Sequence, residues 1–171
     1  IEYTRTAAHR QLQRGRQHAG EWAVCNGVHS EVIYGDTDSV MVKLHNVEVT
    51  PAGAARAWRI GDLLANYISG TVFGPYESIV LELEDLSSPF LLWPHTKKRY
   101  IKRCTEHVPE NPTTWADLGL SLTKKGIETS RRDNAALVPR IMNALLDIMM
   151  PLDKPPKTER EVHGDCLDEL A

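Results

Sequence analysis

The 171-residue sequence predicts an α+β fold, an antiparallel sheet with helices on one face. Three observations predict it. Residues 31–44 have the pattern of a β-hairpin, residues 51–70 have apolar residues at helical spacing, and several β-rich segments follow between residues 78 and 127.

Composition excludes some classes of protein. The chain is 42% hydrophobic and 25% charged, which is typical of a globular protein. A run of about 18 apolar residues is missing, so no membrane span is expected. The three cysteines form no Cys-x-x-Cys pair, so neither a disulfide framework nor a structural zinc site is expected.

The N-terminal part predicts a helix and then a hairpin. Residues 3–20 are mostly helix-tolerant, and Gly20 would end that helix. Residues 31–34 and 39–44 are β-rich. Four turn formers separate them and predict an antiparallel hairpin: Gly35, Asp36, Thr37 and Asp38.

A helix is predicted after the hairpin. Thr50 is a suitable N-cap, and Pro51 suits the first helical position. Apolar residues then recur at helical spacing as far as Gly70, namely Ala54, Trp58, Leu63, Leu64, Tyr67 and Ile68.

The rest of the chain predicts more strands and a second helix. Residues 78–84 alternate from Leu81 onward, so Glu82 and Glu84 are expected on one face of a strand. Further strands are predicted at residues 90–93, 98–104 and 121–127, with a loop at 106–117. Asn134 is a candidate N-cap for a helix over residues 136–149.

The charges are sorted along the chain although the total is only −3. Residues 1–20 carry a net charge of +3, residues 21–89 of −7, residues 90–140 of +5 and residues 141–171 of −4. An acidic segment followed by a basic one suits a site that holds divalent cations beside a polyanion. Chance segregation of charge is the alternative.

Asp36 and Asp38 stand one residue apart in the predicted turn, where two carboxylates can converge on one hard cation. Mg²⁺ takes a few carboxylates together with the phosphate oxygens of a substrate. A solvated acidic turn is the alternative. A calcium loop of the EF-hand type does not fit, because Met41 and Val47 replace its glycine and glutamate. A phosphatase of the haloacid dehalogenase type is disfavoured because residues 39–44 predict a strand rather than a loop and helix.

Three segments of the chain have the form of known motifs. Tyr34-Gly35-Asp36-Thr37-Asp38-Ser39 resembles the third catalytic motif of family B DNA polymerases. Lys97-Lys98-Arg99-Tyr100 resembles the segment that holds primer-template DNA near the primer end, and Leu81-Glu82-Leu83-Glu84 stands upstream of it as in the family. Lys125-Gly126-Ile127-Glu128, followed by Arg131-Arg132-Asp133, resembles the segment where the thumb begins.

The resemblance implies a fold and an activity. Residues 1–125 would be the C-terminal part of a polymerase palm, and residues 126–171 the start of a helical thumb. The activity would be template-directed DNA synthesis, in which a primer 3′-hydroxyl attacks the α-phosphate of a deoxynucleoside triphosphate and releases pyrophosphate, with two Mg²⁺ ions.

The resemblance also implies site residues and partners. Asp38 would bind both metals and Asp36 would be a weaker or water-mediated ligand, with Glu82, Glu84 or both nearby. The DNA-binding residues would be Lys97, Lys98, Arg99, Tyr100, Arg131 and Arg132, although Arg131 and Arg132 could instead pair with acidic residues inside the fold. The expected partners are primer-template DNA, deoxynucleoside triphosphates and a processivity factor. The expected location is the nucleus, or the host nucleus for a viral source.

Two family motifs do not occur in the chain. One is Asp-x-x-Ser-Leu-Tyr-Pro, which carries the other catalytic aspartate, and the second is the Lys-x₃-Asn-Ser-x-Tyr-Gly helix, which binds the triphosphate. The isolated chain is therefore expected to be inactive. The competing hypothesis is a non-catalytic nucleic-acid-binding module, such as a decayed polymerase. Retention of Asp36 and Asp38 speaks against decay, since DNA binding alone does not need them.

Overall fold

The computed structural model describes residues 27–73, 79–93, 96, 98–127, 135–157 and 161. These residues form two small antiparallel sheets and two α-helices, so the α+β prediction is confirmed. They divide into two compact units between residues 84 and 85, with residues 49–51 grouped with the second unit. In the described ranges, no helix is both long enough and apolar enough to span a bilayer. The predicted helix at residues 3–20 and the predicted N-cap Asn134 lie outside those ranges.

The predicted hairpin is confirmed. Strand β1 (His29–Asp36) pairs antiparallel with strand β2 (Ser39–His45). The last residue of β1 faces the first residue of β2, so the loop consists of Thr37 and Asp38 alone. The register shifts by one residue at Ile33, a β-bulge that increases the local twist of the hairpin.

The predicted helix after the hairpin is also confirmed as α1 (Pro51–Thr71), which begins at the proline. Its buried face differs from the predicted apolar stripe. The buried residues are Gly53, Ala55, Ala57, Ile60 and Ile68, whereas the larger apolar residues of the stripe are only half-buried except for Ile68. The stripe was predicted mainly from large apolar side chains. Three of the five buried residues are small, namely Gly53, Ala55 and Ala57, and small residues allow a neighbour to approach the helix backbone closely.

Residues 79–85 form no strand, so the strand predicted there is wrong for this segment. The segment packs along α1 instead. The Ser69 hydroxyl accepts a hydrogen bond from the Leu81 backbone N–H at 2.8 Å and donates one to the Leu81 carbonyl at 3.2 Å. Leu83 lies against Gly61, with its Cδ1 only 2.9 Å from where a Cβ on that glycine would stand. An alternation of exposure persists at residues 81–84 without a sheet, because Glu82 and Glu84 face solvent and the two leucines are half-buried.

The second unit is a meander covered by a helix. Strands β3 (Leu86–Leu92), β4 (Tyr100–Thr105) and β5 (Ser121–Lys125) form a sheet in the order β3-β4-β5, with both pairs antiparallel. A 3₁₀ turn (Ala116–Leu118) interrupts the predicted loop. Helix α2 (Leu137–Met149) follows, so the predicted strands and helix are confirmed here with shifts at their ends.

One apolar core joins this sheet to α2. Its four buried residues are Ile101, Ile127, Leu146 and Met150, and Leu91, Trp93, Leu122 and Met149 pack around them. Full burial of each large aliphatic side chain stabilises the fold by about 1.5–3 kcal/mol. Every residue of the central strand β4 is buried except Lys102. This packing fixes the start of β4 and the end of β5, where the basic motifs lie.

A charged residue is fully buried in the central strand. Arg103 donates from Nε to the Ser88 carbonyl at 2.6 Å and from Nη1 to the carbonyls of Pro151 and Lys154, the latter at 2.7 Å. Its guanidinium lies 5.0 Å from the centre of the Trp115 ring. Burial lowers the pKa of Arg103 from its usual value. These acceptors and the aromatic face replace part of the water that the guanidinium loses, whereas Nη2 is buried without a hydrogen-bond partner.

Candidate functional site

The acidic hairpin, which consists of β1 and β2, exposes the carboxylate of Asp38 at its turn. Asp38 is exposed, and Asp36 is the last residue of β1, with its backbone paired to Ser39. The Asp36 side chain is not among the groups that the structure describes. Between them Thr37 has φ 58°, a left-handed conformation that costs a β-branched residue on the order of 1–3 kcal/mol. The ladder pairs on both sides hold this turn.

Glu82 and Glu84 are exposed and belong to the same compact unit as the hairpin. Carboxylate oxygens are hard ligands, so the chemistry of the acidic side chains fits Mg²⁺ and not a soft metal. Among the residues that the structure describes, no three acidic, histidine or cysteine side chains form a group that could hold a metal ion. The described residues therefore offer suitable ligands but do not bring them together into a complete metal site.

The structure brings the second and third sequence motifs together at the edge of the three-stranded sheet. We use the name basic corner for Lys98, Arg99, Lys125 and Gly126. Arg99 donates a hydrogen bond from Nε to the Gly126 carbonyl at 2.9 Å. A Cβ on Gly126 would stand 2.2 Å from the Lys98 carbonyl oxygen, so only glycine permits this approach.

Tyr100 lies behind the basic corner, with 5% of its surface exposed. Its ring stacks on Phe90 with the two centroids 5.5 Å apart. The ammonium of Lys125 lies 5.6 Å from the centre of the tyrosine ring, and the two residues pair directly across β4 and β5. Lys125 is not among the DNA-binding residues that the motifs predict. Its position opposite Tyr100 follows from the strand register, which the sequence did not reveal.

Other basic residues near the motif have different environments. Lys98 is exposed with φ 58°. Lys102 forms a largely buried ion pair with Asp85. Burial lowers the pKa of the Lys102 ammonium, but the hydrogen bond and charge of Asp85 outweigh burial and leave this pKa above its usual value. Three predicted DNA-binding residues lie outside the described ranges: Lys97, Arg131 and Arg132.

Comparison with known proteins gives a consistent result. Residues 1–170 match the family model of DNA polymerase family B. The DNA polymerase delta catalytic subunit of Candida albicans is 35% identical over 141 residues, which are 82% of this chain and 12% of that protein. The corresponding figures for the delta catalytic subunit of Schizosaccharomyces pombe are 40%, 119 residues, 70% and 9%. Those for its zeta catalytic subunit are 32%, 139 residues, 81% and 8%. The chain spans about a tenth of the length of these curated relatives.

Proposed function

The chain belongs to DNA polymerase family B, and from this premise we propose that it supplies part of the metal centre and of the primer-template surface of a template-directed DNA polymerase. The reaction is transfer of a nucleotide from a deoxynucleoside triphosphate to a primer 3′-hydroxyl. One observation carries the proposal. Residues 34–39 match the family's third catalytic motif and form a hairpin end whose two-residue loop exposes Asp38.

In this proposal the acidic hairpin holds the metal ions. Asp38 is a ligand of two Mg²⁺ ions and Asp36 is a weaker or water-mediated ligand, with Glu82 and Glu84 as further candidates. Bound Mg²⁺ supplies positive charge at the attacking and leaving oxygens of phosphoryl transfer. The short loop supports this role, because Asp38 has few alternative positions relative to the paired strands.

The basic corner is proposed as part of the surface that holds primer-template DNA. Lys98 is exposed, and a lysine ammonium can pair with any phosphate without reading sequence. Lys97, Tyr100, Arg131 and Arg132 join it on the strength of the motifs. The burial of Tyr100 favours a role in supporting its basic neighbours through packing.

The wider proposals rest on family membership. They assign residues 1–125 to the palm and residues 126–171 to the start of the thumb. They include primer-template DNA and deoxynucleoside triphosphates as substrates, a processivity factor as partner and a nuclear location. The chain alone is proposed to be inactive because it lacks the two further family motifs.

The test of the metal centre is a hairpin exchange. The hairpin of the Candida albicans delta catalytic subunit is replaced by residues 29–45 of this chain, and primer extension is measured. We expect activity in the chimera, its loss in Asp38→Asn, and its retention in Glu31→Gln, a matched control because Glu31 is an exposed carboxylate at the far end of the same hairpin. Full activity of Asp38→Asn would overturn the assignment of Asp38.

A second measurement does not depend on the chimera folding. Mn²⁺ binding to the 171-residue chain is followed by the loss of the free-ion electron paramagnetic resonance signal. Binding that weakens in Asp36→Asn/Asp38→Asn and persists in Glu31→Gln supports the metal centre. If the double variant binds Mn²⁺ unchanged and binds duplex DNA as well or better, the chain is instead a nucleic-acid-binding module.

A further inference from the structure

We propose that Arg99 and Gly126 are positioning residues that fix Lys98 on the DNA-binding surface, and that the Arg99 charge does not itself contact DNA. The inference rests on the proposed function of the basic corner. It changes the role of Arg99, which the motif alone groups with the DNA-binding cations.

The first observation is the close approach at Gly126. This residue has φ 65°, and the Lys98 carbonyl oxygen occupies the space that a Cβ would need, at 2.2 Å. The obstructing atom belongs to the backbone, so it cannot turn aside as a flexible side chain would. Any larger residue at position 126 must displace the Lys98 backbone or the end of β5.

The second observation is the conformation of Lys98. Its φ of 58° lies in the left-handed region, which residues other than glycine adopt only when their surroundings stabilise that conformation. For Lys98 these surroundings are Arg99 and Gly126. The Lys98 carbonyl lies against Gly126, and the next residue, Arg99, is bound through both its side chain and its backbone carbonyl, which accepts from the Trp93 N–H at 3.2 Å.

The third observation concerns the Arg99 side chain. Its Nε donates to the Gly126 carbonyl, a directed bond between the segment before β4 and the end of β5. Lysine keeps the charge of arginine but has no Nε–H in that place. The positioning function and the charge of residue 99 can therefore be separated by substitution.

The experiment measures the dissociation constant of the 171-residue chain for a fluorescent primer-template duplex across a series of KCl concentrations. We expect Arg99→Lys and Arg99→Met to weaken binding equally, by about fivefold, the factor that follows from losing one ordinary hydrogen bond. The slope of log affinity against log salt should stay at the wild-type value. The matched control Lys98→Met, which removes a phosphate contact, should reduce that slope by about 0.9.

A direct phosphate contact by Arg99 predicts a different pattern. In that case Arg99→Met reduces the salt slope by about 0.9, and Arg99→Lys keeps both slope and affinity close to wild type. That result overturns the inference.

Amide hydrogen exchange gives a readout that needs no DNA. Arg99→Lys should speed exchange at residues 98, 99 and 126, and exchange in the buried part of α2 around Leu146 should stay slow, which shows that the unit remains folded. Gly126→Ala should have the same effect to a greater degree, and Arg99→Lys decides the matter if Gly126→Ala does not fold.

Unchanged exchange in Arg99→Lys, or faster exchange with unchanged DNA affinity, refutes the positioning role. Absence of DNA binding by the wild-type chain, with faster exchange in Arg99→Lys, refutes the proposed function and leaves the local link established.

Discussion

The guanidinium of Arg103 donates a hydrogen bond to the backbone carbonyl of Lys154 at 2.7 Å, and so the central strand of the sheet holds the chain that follows α2. The same guanidinium also binds β3, and the register of the sheet explains that contact. Arg103 stands opposite the irregularity in β3 between Ser87 and Phe90, where Pro89 has no N–H for the ladder and the Ser88 carbonyl is turned to the arginine.

We predict that Arg103→Met lowers the free energy of unfolding by about 3 kcal/mol, because three backbone carbonyls lose a charged donor that is itself fully buried. The measurement is urea unfolding followed by tryptophan fluorescence. Arg140→Met, at an exposed position on α2, serves as the control and should change stability by less than about 0.5 kcal/mol. Equal losses in the two variants would show that the buried bonds contribute nothing specific.

The ion pair between Asp85 and Lys102 gives a second prediction. Asp85→Asn leaves a largely buried ammonium without its charged partner, so stability at pH 7 should fall by about 2 kcal/mol. The double variant Asp85→Asn/Lys102→Met should recover part of that loss, because no unpaired charge remains. This account would be contradicted if the double variant lost more stability than the two single variants lose in sum.

The same pair predicts a response to alkaline pH. The folded-state pKa of Lys102 is raised above 10.5, so its contribution is fully present below that pH and is lost as pH rises through the folded-state value. The stability difference between wild type and Lys102→Met should therefore be constant from pH 7 to about pH 10 and narrow at higher pH. A constant difference through pH 12 would exclude the linkage.

Asp117 gives a prediction at acid pH. Its carboxylate accepts hydrogen bonds from the backbone N–H groups of Thr114 and Thr113, both at 2.8 Å, and these lower its pKa from 3.8 to about 2. A lowered pKa contributes stability that is present above the unfolded value and is lost as pH falls through the folded one. The stability advantage of wild type over Asp117→Asn should therefore shrink between about pH 4 and pH 2, as measured by urea unfolding at each pH. Asp147→Asn, which removes an exposed carboxylate on α2, is the comparison variant measured at the same pH values.

The Ser69 hydroxyl gives a fifth prediction, concerning the segment that carries Glu82 and Glu84. Ser69→Ala removes both hydrogen bonds to the Leu81 backbone and should destabilise the chain by about 1 kcal/mol. Exchange of the Leu81 amide should become faster. Ser69→Thr keeps a hydroxyl and should restore slow exchange, whereas fast exchange in both variants would assign the effect to packing of the helix.

The elements with strong local signals could be predicted from sequence. Thr50 and Pro51 indicated the start of α1, and β-rich segments around four turn formers indicated the hairpin, because these signals act over a few neighbouring residues. The alternation at residues 81–84 also correctly predicted that the leucines and the glutamates lie on different sides, of which the glutamate side is exposed and the leucine side half-buried. It did not reveal what covers the buried side, and the partner turned out to be a helix through Ser69 rather than another strand.

Features that depend on distant contacts could not be predicted. Nothing in the local sequence distinguishes the buried Arg103 from an exposed basic residue, since its acceptors come from β3 and from the chain after α2. The same applies to Lys125, which approaches Tyr100 only through the strand register. Of the candidate site, the motif residues could be identified, but the contact between Lys98 and Gly126 required the fold.

The bonds of Arg103 also determine when this unit can finish folding during synthesis. The acceptors at Pro151 and Lys154 are 48 and 51 residues further along the chain than the arginine. A nascent chain that ends before them can form the hairpins of the meander, but Nη1 of the guanidinium then lacks both carbonyls and must stay hydrated. The hydrogen bonds of Arg103 are therefore completed only after residue 154 has left the ribosome. Contacts of such long sequence separation make that last step slow relative to formation of the hairpins.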